Sequence, residues 1–417
     1  MVKLGDVKEI DCPVREVERV VVAGDTGGKP ALRGFPTMVD LGDGELLVGY
    51  DLCRDHHVTA PMGWMMTRSF DEGKTWGESF ALCALPGYQV TGDLGFMKCP
   101  DGSIMCVLAR CYWPSWRQFP SVSLAEPHIR VPMKPFGEMG RRRFDVFVIR
   151  SWDKGYNWTP LEYPLDLFTG DMWQTNATGN SGPHELGDGR WMWAICGEQA
   201  DGHWIGGVTY SSNQGFTWSP LKIIYDLPYA DPSEQRITRL SDRSLLSHTR
   251  CDPRVKGEPW NYEDNVVHFS LSEDDGETWS EPWKGNFVGS GSPELHRLND
   301  GSFIMMYRDM DPERPGVSVS YSRDEARTWR FIGQLCGPSD PLPIAHLEGQ
   351  EAPFEAKGRV PSSLSKTSRR AAETRRRVEL GYPVAIRVSN GQIFVVYYGP
   401  WIDGNADVVG VYLEDLT

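Results

Sequence analysis

A turn signature that occurs five times constrains this chain more than any other feature. The signature is Ser-x-Asp-x-Gly-x-Thr-Trp, and its first copy reads Ser69-Phe70-Asp71-Glu72-Gly73-Lys74-Thr75-Trp76. It recurs from Ser151 to Trp158, Ser211 to Trp218, Ser272 to Trp279 and Ser322 to Trp329, the last with Ala326 in place of Gly. The chemistry is that of a self-capped turn. The carboxylate and hydroxyls accept from nearby backbone N–H groups, Gly supplies a positive φ, and Trp buries a large area beside the turn. Periodic self-similarity of this kind belongs to arrays of identical strand units.

A second repeat runs between the boxes. Two apolar strands flank a tight turn at Asp43-Gly44, Asp101-Gly102, Asp188-Gly189, Asp242-Arg243, Asp300-Gly301 and Asn390-Gly391. An Asp-Gly or Asn-Gly pair between apolar runs is a strong short-range hairpin signal. Six hairpins and five boxes predict an all-β, six-bladed β-propeller with four-stranded antiparallel blades, the last blade lacking a box. The 417 residues then form one domain, 1–417, because each blade adds its own strip of core. The segment 16–23, with Val20-Val21-Val22, is expected to supply the outer strand of the last blade and close the ring. The content of 44 Gly and 16 Trp suits such a protein.

Charge and hydropathy narrow the partners. The net charge of -14 opposes binding to a nucleic-acid backbone, and no stretch reaches the roughly 18 to 20 apolar residues of a membrane-spanning helix. The start, Met1-Val2-Lys3-Leu4-Gly5-Asp6, has no apolar signal region. The nine cysteines are odd in number and form no C-x-x-C pair, which reads as reduced thiols in a cytoplasmic protein. The oligomeric state is not set by the sequence.

Blade topology places the chemistry. Hairpin turns and boxes fall on one face of the disc, and the long loops 110–143, 250–265 and 336–381 fall on the other, where function is expected. The loops at 110–143 and 336–381 are insertions. The first carries Tyr112, Trp113 and Trp116, and the second a basic stretch over 357–377. Aligning the six inner strands by their turns gives one equivalent position per blade: Phe35, Asp93, Asn180, Glu234, Ser292 and Tyr382. These side chains are expected to ring the funnel.

The five boxes resemble the Asp box of the sialidase superfamily, and Glu234 and Tyr382 match the family's Glu in blade four and Tyr in blade six. The resemblance implies that Glu234 draws the proton from the Tyr382 hydroxyl while that hydroxyl attacks the anomeric carbon. A neutral nucleophile suits a substrate bearing a carboxylate there, which would repel an Asp or Glu. It further implies an Asp in blade one as general acid and then base. In Asp51-Leu52-Cys53-Arg54-Asp55-His56-His57 the candidate is Asp55, with His56 or His57 as the alternative. Three arginines are implied for the substrate carboxylate, since Arg gives bidentate bonds that Lys cannot. Arg250 ends the second strand of blade four, as in the family. Arg308 and Arg314 compete for another place. Arg33 in Arg33-Gly34-Phe35-Pro36 stands one residue farther from the Pro than the family's Arg-x-Pro, a shift that could turn its side chain across the strand. Arg54, His56, His57 and Asp93 complete the expected substrate-binding set.

The resulting expectation is an exo-glycosidase acting on a terminal acidic sugar, plausibly sialic acid, with no metal or other cofactor. A Zn site at His56-His57 would need further converging ligands. Two other readings stay open. One is a uronic-acid-directed glycosidase or lyase using His56 or His57 with Tyr382. The other is a non-catalytic glycan-binding propeller.

Overall fold

A computed structural model describes residues 12–24, 32–53, 63–83, 88–112, 135–136, 139–140, 144–159, 172–176, 182–199, 203–241, 243–253, 265–309, 311, 315–337, 380–399 and 406–417. Six antiparallel sheets of three or more strands follow one another along the chain, and a separate two-stranded ladder pairs Pro135–Phe136 with Met139–Gly140. Blade one comprises Leu32–Gly42, Glu45–Cys53, Trp64–Ser69 and Phe80–Cys83. Blade four comprises Ala230–Arg239, Leu245–Pro253, Val266–Ser272 and Trp283–Val288, and blade five Ser290–Arg297, Phe303–Asp309, Gly316–Ser322 and Arg330–Cys336. Blade two shows three strands among the described residues, and in blade three a short extra strand pairs beside the path. The protein is an all-β, six-bladed propeller, as the repeats predict. No helix among the described residues is long and apolar enough to cross a membrane.

The ring closes through its first strand. Val14–Ala23 pairs antiparallel with Val408–Asp415, outside Ile393–Tyr398 and Gly381–Arg387 in blade six. The strand expected over 16–23 therefore occupies the expected place and begins two residues earlier.

The hydrophobic cores lie between blades rather than within them, because each sheet presents an apolar face to each neighbour. Blades one and two share Leu47, Trp64, Phe96 and Cys106. Blades four and five share Leu246, Phe269, Phe303 and Met305, and blades five and six share Ile304, Val319, Val395 and Val411. The six cysteines whose side chains are described, Cys12, Cys99, Cys106, Cys196, Cys251 and Cys336, are all free.

The boxes fold as the signature implies. In the fourth copy the Asp274 carboxylate accepts from Thr278 N (2.7 Å), Thr278 Oγ1 (2.6 Å) and Ser272 Oγ (2.9 Å). Ser272 Oγ in turn accepts from Gly276 N at 2.8 Å, and Trp279 Nε1 donates to Gly276 O at 3.1 Å. Two successive residues are left-handed, not the Gly alone: Glu72, Lys154, Gln214, Asp275 and Glu325 have φ between 53° and 61°. Ala326 follows the pattern at φ 64°, so the fifth turn keeps its shape at the cost of a crowded Cβ. The box also fastens its blade to the preceding one. The residue before the box Ser reaches forward in blades one to three: Arg68 to Lys154 O (2.7 Å), Arg150 to Gln214 O (2.8 Å) and Tyr210 to Gly276 O (2.6 Å). Tyr412 of the boxless sixth blade donates to Glu72 O at 2.8 Å.

Candidate active site

The opposite face is built on bulges at the starts of the inner strands. Pairing skips residues between Gly34 and Thr37, Ser233 and Arg236, Ser290 and Glu294, and Gly381 and Val384. Left-handed residues occupy these gaps: Phe35 (φ 54°), Glu234 (φ 58°), Gly291 (φ 62°) and Tyr382 (φ 52°). A non-glycine residue held left-handed costs of order 1–3 kcal/mol, and here it re-aims a side chain out of the ladder. The turn alignment thus finds the bulge position in blades one, four and six. In blade five the left-handed residue is Gly291 rather than Ser292, because that bulge is one residue longer.

Glu234 and Tyr382 meet. The Tyr382 hydroxyl donates to Glu234 Oε1, although the residues lie two blades apart and 148 positions apart in sequence. The same oxygen accepts from Arg250 Nη1 at 3.1 Å, and Glu234 Oε2 accepts from the Ser292 backbone N–H. Glu234 is 3% exposed, and each of these partners is a donor, the arrangement an ionised carboxylate requires. Phe35 packs edge-on against Tyr382, ring centroids 4.7 Å apart.

Arg250 and Arg308 occupy matching places. Arg250 pairs with Ser233 and Arg308 with Ser290, each opposite the residue before a bulge. Arg250 is held by Asp252 through Nε (3.2 Å) and Nη2 (2.7 Å), and Asn265 Nδ2 supports Asp252 at 2.5 Å. Burial opposes the Arg250 charge, but Asp252, Glu234 and Tyr382 outweigh it and hold the guanidinium firmly protonated. Arg308 donates to Leu380 O and to the Tyr398 hydroxyl, both at 2.6 Å, and lies 5.3 Å from the Tyr382 ring centroid.

Arg33 is engaged by blade six among its described contacts. It is buried, its backbone N–H donates to Ala406 O at 2.9 Å, and its guanidinium pairs with Asp407 at 3.5 Å. Arg54, Asp55, His56, His57 and Arg314 lie outside the described residues, as does Asn180. Asp93 falls in the strand Tyr88–Lys98, but its side chain is likewise not described. No group of three or more His, Cys, Asp or Glu able to hold a metal occurs among the described residues.

Sequence reasoning passed over Asp252, Ser292 N–H, Arg236 and Glu294. Asp252 carried a readable signal, since residues two apart on a strand share a face. Arg236 donates to Glu294 and to Ser292 Oγ, contacts spanning 58 and 56 residues that no local pattern announces.

Comparison with known proteins agrees with this architecture. Residues 130–408 match the BNR repeat-like domain. No curated protein sequence matches the chain. A crystal structure of a protein of unknown function from Dyadobacter fermentans is similar over 97% of this chain and 99% of its own, with 19% identity and a TM-score of 0.67. A Hadza microbial sialidase is similar over 95% of this chain and 68% of its own, at 15% identity and a TM-score of 0.55. Trypanosoma rangeli sialidase in complex with the inhibitor DANA is similar over 95% of this chain, at 11% identity and a TM-score of 0.56; the match spans 59% of that protein. At such identities the structural likeness speaks for the fold alone. The matched domain, which spans two thirds of the sequence, together with the boxes and the six blades makes this chain a member of the BNR repeat-like domain family.

Proposed function

We propose that the protein is an exo-glycosidase of sialidase type, releasing a terminal acidic sugar with retention of configuration. The observation that carries the reading is the Tyr382 hydroxyl donating to a Glu234 carboxylate that is itself gripped by Arg250. In this reading Tyr382 Oη attacks the anomeric carbon as its proton passes to Glu234 Oε1, and the glycosidic C–O bond breaks. Asp55 protonates the leaving oxygen and later takes a proton from the water that cleaves the tyrosyl–sugar bond. A Tyr–Glu pair is a recognised exception to the two-carboxylate scheme. It suits a sugar whose own carboxylate would repel an anionic nucleophile. Sialidases among the structurally similar proteins support sialic acid as the first substrate to try.

A second reading follows from Arg33. It pairs with Asp407, and a carboxylate grip made by Arg250 and Arg308 without it would suit a uronate or another acidic sugar as well as sialic acid. Parallel assays on aryl sialosides and aryl uronides, with Tyr382→Phe as control, test both. Turnover of one acidic class that Tyr382→Phe abolishes is expected. Equal turnover of acidic and neutral glycosides, or full activity in Tyr382→Phe, would overturn the assignment.

A further inference from the structure

Beneath the reacting pair lies a closed circuit through three blades. Tyr382 Oη donates to Glu234 Oε1, and Glu234 Oε2 accepts from Ser292 N. Ser292 Oγ accepts from Arg236 Nη2, and Arg236 Nη1 donates to Glu294 Oε2. Glu294 Oε1 then accepts from Ala385 N at 3.1 Å, three residues along the chain from Tyr382. Blade four supplies Glu234 and Arg236, blade five Ser292 and Glu294, and blade six Tyr382 and Ala385. Arg236 and Glu294 are 4% and 9% exposed, so their ion pair acts through a poorly screening interior.

We propose that Arg236 and Glu294 are positioning residues that fix the separation of Glu234 from Tyr382 and set the electrostatic potential at the Tyr382 oxygen. The inference rests on reading Glu234 and Tyr382 as the reacting pair. Two features argue against a merely structural tie. Ser292 links both groups, fixing Glu234 Oε2 through its N–H and Arg236 through its Oγ, which leaves Oε1 to handle the proton. Glu294 also carries the link onward to blade six, since its second oxygen accepts from Ala385 N at 3.1 Å, three residues from Tyr382. His248, directly across the strand from Arg236, is pushed to about 3 by burial and by Arg236, and so contributes no charge near neutrality. Among the described residues, polar groups that face Tyr382 include Glu234, Arg250, Arg308 and Tyr398; Phe35 packs there as an apolar wall.

The test is a tyrosinate absorbance titration of the full chain, with Tyr382→Phe subtracted to isolate one hydroxyl. Arg236→Met removes a cation and should move the Tyr382 midpoint upward by about one pH unit. Glu294→Gln removes the anion that offsets that cation and should move it downward by a similar amount. The double variant should return to within a few tenths of the wild-type midpoint. On an aryl glycoside both single variants should lose at least tenfold in kcat with little change in KM. Midpoints that move in the same direction, or do not move, overturn the proposal. If Arg236→Met does not fold, the isosteric Glu294→Gln decides alone: a downward shift supports the proposal and an unchanged midpoint overturns it. A wild-type protein that turns over no glycoside would refute the glycosidase reading, while the titration would still decide whether this pair governs Tyr382.

Discussion

The two faces of the disc both hold non-glycine residues in the left-handed region, and they use them in opposite ways. On the box face the pattern repeats: Glu72, Lys154, Gln214, Asp275 and Glu325 take the same φ in five blades. Hydrogen bonds within eight residues support each turn, as Asp71 accepts from Thr75 N at 2.8 Å and Ser69 Oγ from Gly73 N at 2.8 Å. On the funnel face the left-handed residue changes identity from blade to blade, being Phe35, Glu234, Gly291 and Tyr382, and the side chains of Phe35, Glu234 and Tyr382 meet partners from other blades. Strain that repeats with one local solution belongs to architecture. Strain that varies in side chain and is held in place from a distance belongs to a site.

The strongest challenge to that division is Tyr382→Phe. It removes one hydroxyl from the funnel face and should lower kcat by at least about 10²–10⁴-fold with an unchanged melting temperature. A melting temperature that falls while turnover survives would place Tyr382 with the architecture. Next comes Arg250→Ala, which removes a buried cation from between Asp252 and Glu234. Truncating one partner of such a group costs about 2–5 kcal/mol, or roughly 30-fold or more in turnover at a factor of ten per ~1.4 kcal/mol. Arg250→Lys should recover little, since Lys lacks the fork that engages Asp252. Arg33→Ala, measured alongside, should cost less than Arg250→Ala if its Asp407 pairing is its main role, and comparable losses would return it to the substrate site.

The box face predicts the reverse pattern. Asp274→Ala should destabilise by roughly 1–3 kcal/mol, through three lost hydrogen bonds in a half-buried turn. Chemical denaturation should show that loss while kcat in the folded fraction stays the same. The smallest effect is on acid stability. Hydrogen bonds from Thr75, Thr278 and Thr328 outweigh slight burial and hold Asp71, Asp274 and Asp324 below the usual carboxylate range. Asn157 holds Asp153 at about 2. A carboxyl group more acidic folded than unfolded stabilises above its unfolded pKa of about 4, and that contribution fades as pH falls towards its folded value. Stability should therefore decline between about pH 4 and pH 2, and a transition centred near neutrality would point to other groups.

The same contrast explains what could be read in advance. The boxes, hairpins and closing strand were legible because their logic is local and repeated, so five copies reinforce one another. Glu234 and Tyr382 were legible because the turns fix a register eight residues away. Ser292 was aligned one residue beyond Gly291, since bulge length is set by packing rather than by the hairpin. The Arg236–Glu294 pair and the Arg33–Asp407 contact join strands from different blades, and nothing in one strand's composition specifies its partner. Arg250 was expected to meet the substrate, and its described partners, Asp252 and Glu234, give it a second duty in orienting the carboxylate beside Tyr382.

The closing strand also has a consequence for folding order. Blades one to five pair strands that are near neighbours in sequence, whereas Val14–Ala23 must find Val408–Asp415 across nearly the whole chain. Joining segments so far apart costs about 5 kcal/mol of chain entropy before any contact forms. Contacts of such high sequence separation are slow to form. Tyr382 sits in the blade that this late pairing completes, and Glu234 in one that does not wait for it. On the proposed reading of this pair, the nucleophile and its base thus mature at different moments, and turnover becomes a reporter of ring closure, expected to appear after most secondary structure has formed.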